Sequence, residues 1–211
     1  MNNRKAEITT GWILGSLSIA LTGSILFWYL GNPHLFIKHR LGISSEAFNN
    51  PIVWILTFMV AIVYIMYTVK AVPFVREHLL TFSWLKIIGI WAAFVSGIVE
   101  EIVFRQMIMD WLMNASITVQ VLASALIFGF AHGAWILLRG EIKIALPVIL
   151  STTVLGCLLA ILYIVADRNI LAPIVAHILI NLVIEPWLIF SAVTGKWNSE
   201  KQEGNSANIE R

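Results

Sequence analysis

Charge is scarce in this chain of 211 residues. Only 12% are Asp, Glu, Lys or Arg, about half the share of an ordinary soluble domain. A polypeptide that is 59% hydrophobic and so poorly charged lacks the polar surface that water requires, which excludes a soluble enzyme or soluble binding domain. The net charge of +2 supplies no basic stripe to follow a phosphate backbone, so nucleic acid is not an expected partner. Cysteine is almost absent too. Cys157 stands alone in the apolar run from Val154 to Val165, so it cannot form an intrachain disulfide and is read as a packing residue. Period-two alternation is missing, which excludes a membrane barrel. No GxSxG elbow, HExxH helix, phosphate loop or GxGxxG fingerprint occurs, and no internal repeat is visible.

What the chain does have is long apolar runs. Crossing the hydrocarbon takes about 20 predominantly apolar residues in a helix that satisfies its own backbone. Six stretches qualify: 11–31, 51–69, 80–104, 115–138, 144–166 and 170–190. The expected fold is therefore an all-α membrane protein of about six transmembrane helices, forming one domain over residues 1–195. The first apolar run, Ile8 to Leu30, is too long for a cleaved signal and reads as an uncleaved anchor. Residues 196–211 are polar and expected to be a disordered cytoplasmic tail. The segment 32–50 reads as an interfacial loop or short surface helix. Placing the N-terminus inside puts Arg4, Lys5, Lys70, Arg76, Lys86, Arg139, Lys143, Lys196, Lys201 and Arg211 at the inner face. Only Lys38, Arg40 and Arg168 then lie outside.

Ionisable residues at depth are costly, at least about 2.5–3.5 kcal/mol each at a helix centre, and so carry information. The third run ends in Glu100-Glu101-Ile102-Val103-Phe104-Arg105. Glu101 and Arg105 are four apart and can neutralise each other on one helix face. Glu100 points about 100° away without that partner, which suits a general base. Taken alone, the pair is as compatible with a helix end at the interface. His132 lies in a fourth run among small neighbours, Gly129, Ala131 and Gly133, that permit close helix approach. His177 and Asn181 are one turn apart on a sixth. Three helices thus bring catalytic-type side chains into the membrane. Glu185 can share the face of His177, but Pro186 beside it suggests a span end or kink, and Glu185 is read as structural. Asp110, Asp167 and Arg168 lie near turns, where charges reach headgroups.

The ordered pattern Glu100-Glu101-x-x-x-Arg105, Phe128-x-x-x-His132 and His177-x-x-x-Asn181 resembles the CPBP family, the CAAX prenyl endopeptidases and bacteriocin-processing or Abi proteins. The resemblance covers 84–187, and Gln106 stands where many members have Gly. It implies an intramembrane peptidase acting on a peptide or membrane-tethered protein; the expected setting is a bacterial plasma membrane, and the charge count places both termini of this multi-pass protein in the cytoplasm. By this likeness Glu100 and His132 activate water. His177 and Asn181 donate to the oxyanion, Glu101 and Arg105 brace the helix, and Phe128 fills space beside His132. A zinc site would draw on Glu100, His132 and His177. Zinc is disfavoured, because these histidines lie on different helices and Asn181 is an uncommon ligand. The competing readings are a catalytically silent scaffold or immunity-type binding protein, and a transporter or proton relay, for which paired half-helices are lacking.

Overall fold

The computed structural model describes residues 3–135 and 142–195. The expected disordered tail, 196–211, and the end of the expected fourth span, 136–138, lie outside the described residues. Among the described residues there are helices and turns but no strand, as an all-α membrane protein requires. Helix α1 is Asn3–Gly31, α2 is Pro51–Ala71 and the short α3 is Pro73–His78. Helix α4, Trp84–Glu101, runs on through a wider π-type turn at Ile102–Met107 into Ile108–Trp111. Helix α5 is Ile117–His132, followed by a tight turn at Gly133–Trp135. Helices α6, α7 and α8 are Ile142–Val165, Leu171–Ile184 and Trp187–Thr194.

Local chemistry sets several helix starts. The Asn50 side chain accepts from the backbone N–H of Ile52 and Val53, with Pro51 at the first helical position. Ser83 and Ser116 cap α4 and α5 in the same way, accepting from Lys86 and Val119. The π-type turn in α4 loosens the carbonyl ladder, and Ser124 of α5 donates to the Phe104 carbonyl at 2.8 Å.

Among the described residues all six apolar stretches contain helix, and four helices have spanning length: Arg4–Gly31, Pro51–Ala71, Trp84–Trp111 and Ala145–Val165. Helices α7 and α8 make a fifth only as one broken span, bent by 51° at Glu185 and Pro186, where proline withholds the N–H a continuous helix needs. The remaining stretch, α5, has 16 residues and rises about 24 Å, short of a hydrocarbon core of about 30 Å. It stops at His132.

Helix α4 lies between α1 and α7, α7 also packs on α2, and α5 packs along α6. Gly129 meets the expectation of close approach: a Cβ there would lie 1.9 Å from Thr153 Oγ1 on α6. The face turned away from this core carries exposed Trp12, Phe27, Phe58, Ile62, Phe130 and Leu150, a surface matched to lipid. The turn from α6 into α7 is held by polar bonds. Asp167 and Arg168 adopt left-handed φ of 51° and 60°. Arg168 donates to Asp110 at 2.8 Å and to Gln120, and Tyr163 donates to Asp110 at 3.2 Å.

Candidate active site

The residues singled out in sequence come from three helices. Glu100, Glu101 and Arg105 lie where α4 passes into its π-type turn, Phe128 and His132 close α5, and His177 and Asn181 share a face of α7. Glycine at position 97 sets how near α4 and α7 come. A Cβ there would sit 2.6 Å from the Ile178 side chain and 3.2 Å from its backbone nitrogen.

Glu101 and Arg105 form the expected one-turn ion pair, with Nε 3.1 Å from Oε2 and both side chains fully buried. Glu101 also has a second partner. Its Oε1 lies 2.7 Å from His177 Nδ1, a contact that sequence spacing does not reveal. The Arg105 guanidinium stacks 4.3 Å over the Phe128 ring. That ring in turn packs on His132, with centroids 4.5 Å apart, and edge-on to His177 at 5.8 Å. Phe128 therefore orients both imidazoles.

The hydrogen-bond partners fix the imidazole tautomers. His132 Nδ1 lies 2.9 Å from the Phe128 carbonyl, which can only accept, so Nδ1 carries the hydrogen. His177 Nδ1 faces the Glu101 carboxylate ion-paired with Arg105, and it too must donate. The nitrogens left facing Glu100 are thus Nε2 in both rings. Each lies 3.9 Å from Glu100 Oε2, which is buried and has no hydrogen-bond partner among the described residues. Glu100 and His132 are each about a fifth exposed, while His177 is 3% exposed, so the opening lies beside the first two.

Separations of 3.9 Å leave room for a water between Glu100 Oε2 and each imidazole Nε2. Among the described residues, no group of three His, Cys, Asp or Glu has an arrangement that would hold a metal ion.

Glu100, His132, His177 and Asn181 line one cavity of about 170 Å³, open on one side and otherwise walled mainly by apolar side chains. Ser96 and Glu185 are among the further polar residues that line it. Ser96, one turn before Glu100, accepts from Asn181 Nδ2 at 3.1 Å, and the spacing of four was the available signal. Glu185, read as structural, also faces this cavity. Gln106 does not line it. Its side chain accepts from Arg40 at 2.9 Å and donates to the His39 carbonyl, tying the 32–50 segment to α4.

Residues 82–183, just under half of the chain, match the family described as Rce1-like, type II CAAX prenyl endopeptidase. This stretch is similar to the CAAX-protease family. It holds every motif residue from Glu100 to Asn181 and stops two residues before Glu185. The match supports, at family level, a CAAX-protease-like intramembrane endopeptidase with a peptide or protein substrate, and the helices of spanning length agree with an integral membrane protein. No curated protein and no solved structure matches the chain.

Proposed function

We propose that this protein hydrolyses a peptide bond with a water held between Glu100, His132 and His177, without a metal. The observation that carries this reading is the buried, unpartnered Glu100 Oε2, equidistant from two Nε2 atoms at a water-sized spacing. Charge balance assigns the protons. Glu100 and Glu101 bring two negative charges and Arg105 one positive, so a neutral buried cluster needs one more proton. His177 is its natural seat, because its Nδ1–H already donates to Glu101. The water then accepts from His177 Nε2–H and donates to Glu100 Oε2 and to the lone pair of His132 Nε2. All three of its hydrogen bonds are used.

As the water oxygen attacks the carbonyl carbon, its proton passes to Glu100. The carbonyl oxygen becomes an oxyanion, takes over the His177 Nε2–H that the water releases as it bonds to carbon, and accepts from the Asn181 N–H not engaged by Ser96. Collapse breaks the C–N bond, and the proton held by Glu100 goes to the leaving amine, with His132 as the neighbouring relay. The products are a carboxylic acid and an amine, and the acid's remaining proton passes through His132 to the amine, leaving a carboxylate and an ammonium. Phe128, Arg105 and Glu101 touch no reacting atom and position the imidazoles.

The setting we propose is a bacterial plasma membrane, with residues 1–195 as one membrane domain and both termini cytoplasmic. A Ser199→Cys variant in a Cys157→Ala background should then resist an impermeant thiol reagent on intact cells; labelling there would reverse the orientation. For the chemistry, purified protein should cleave a membrane-tethered peptide in H₂¹⁸O with one ¹⁸O entering the new carboxylate, and exhaustive chelation should not change the rate. Loss of cleavage on chelation with recovery on zinc alone would make Glu100 a ligand and overturn the metal-free step. A folded protein that binds such peptides but never cleaves them would instead be the silent scaffold.

A further inference from the structure

Glu185 occupies the break between α7 and α8, one turn beyond Asn181 and two beyond His177. It is 9% exposed, its Oε2 is buried with no hydrogen-bond partner among the described residues, and it lines the cavity that holds Glu100. The cation nearest in sequence register does not satisfy it. Lys86 Nζ donates to the carbonyls of Leu182 at 2.6 Å, Glu185 at 2.7 Å and Val183 at 3.4 Å, which caps the end of α7. No ion pair joins Lys86 to the Glu185 carboxylate among the described residues.

Among the described residues no lysine or arginine lines the cavity. Arg105 is fully buried against Glu101 and Phe128. A peptide anchored there by a free C-terminal carboxylate would meet two carboxylates, Glu100 and Glu185, with His177 beside Glu100 as the one cationic group assigned to this wall. A positively charged nitrogen would meet an unpartnered acceptor in a poorly solvated pocket, where such a bond is strong.

We propose that Glu185 is a specificity residue that accepts a cationic nitrogen of the substrate, either a lysine or arginine side chain or a free N-terminal amine. This rests on the hydrolytic reading of the same cavity. Eight residues of helix put Glu185 about 12 Å along the axis from His177. An extended peptide covers about 3.3–3.6 Å per residue, so the cation sits about two to four residues from the scissile bond.

The test uses the full chain in lipid nanodiscs carrying Glu100→Gln to stop turnover, with capped leucine–alanine octapeptides in which one lysine is moved through every position. Norleucine at the same position removes the charge and keeps the length, and a lysine-free peptide with an uncapped amine distinguishes the two sources of cation. At one or two positions lysine, or else the free amine, should bind about tenfold or more tighter than its neutral counterpart. Adding Glu185→Gln should abolish that preference, and Glu185→Asp should keep part of it. Equal binding of charged and neutral peptides at every position, or a preference that survives Glu185→Gln, overturns the proposal. Cleavage by the unaltered protein is read separately. A charge preference without cleavage keeps the cation site and removes the peptidase reading, whereas cleavage without charge preference does the reverse.

Discussion

Two arginine–carboxylate pairs take their carboxylates from the same long helix, and their surroundings differ. Arg168 and Asp110 meet near the α6–α7 turn with side chains 31% and 45% exposed, and Tyr163 and Gln120 complete their hydrogen bonds. Arg105 and Glu101 meet with no exposure at all, and both guanidinium Nη atoms lack an acceptor among the described residues. Solvent and neighbours satisfy the first pair, which serves to hold a strained turn. The second is poorly satisfied as a clamp and makes sense through what it touches: Glu101 orients His177, and Arg105 stacks on the ring that orients His132. A buried ion pair is weak evidence of stabilisation but strong evidence of a specified geometry.

Removing one member of the buried pair should therefore have the largest effect. Glu101→Gln leaves Arg105 uncompensated and should lower unfolding stability in mild detergent by about 3–5 kcal/mol. A loss below about 1 kcal/mol would erase the contrast between the pairs. Next comes Asn181→Ala, which should reduce turnover about 100- to 1000-fold with little change in substrate affinity, read from kcat and KM on a tethered peptide. A loss confined to affinity would make Asn181 a substrate anchor. Smallest is Arg168→Ala at the exposed pair, expected to cost about 0.2–1 kcal/mol and to leave kcat unchanged. A loss comparable to that of Glu101→Gln would mean the turn and the site are coupled.

Much of this arrangement was legible before any coordinates. Intramembrane charge is expensive, so Glu100, Glu101, Arg105, His132 and His177 announced themselves, and the spacing of four correctly paired Glu101 with Arg105. What stayed hidden is long-range. The Glu101–His177 bond joins residues 76 apart and the Asn181–Ser96 bond joins residues 85 apart, and no local period encodes either. Hydropathy also counted α5 as a span, because composition does not show that the helix ends at His132. Pro186 did signal the break after α7, yet it drew attention from the carboxylate beside it. A residue at a span end looks solvated in sequence. In the fold that end turns back into the cavity.

The central claim is that Glu100 takes the proton of the attacking water. The direct measurement is single-turnover cleavage of a membrane-tethered peptide by reconstituted Glu100→Gln protein, with its thermal unfolding recorded in the same preparation. Glutamine keeps the shape and removes the base, so the account predicts a protein that unfolds as the unaltered chain does and shows a cleavage rate lower by about 1000-fold or more. Cleavage within about tenfold of the unaltered rate, in protein that is equally folded, would contradict it.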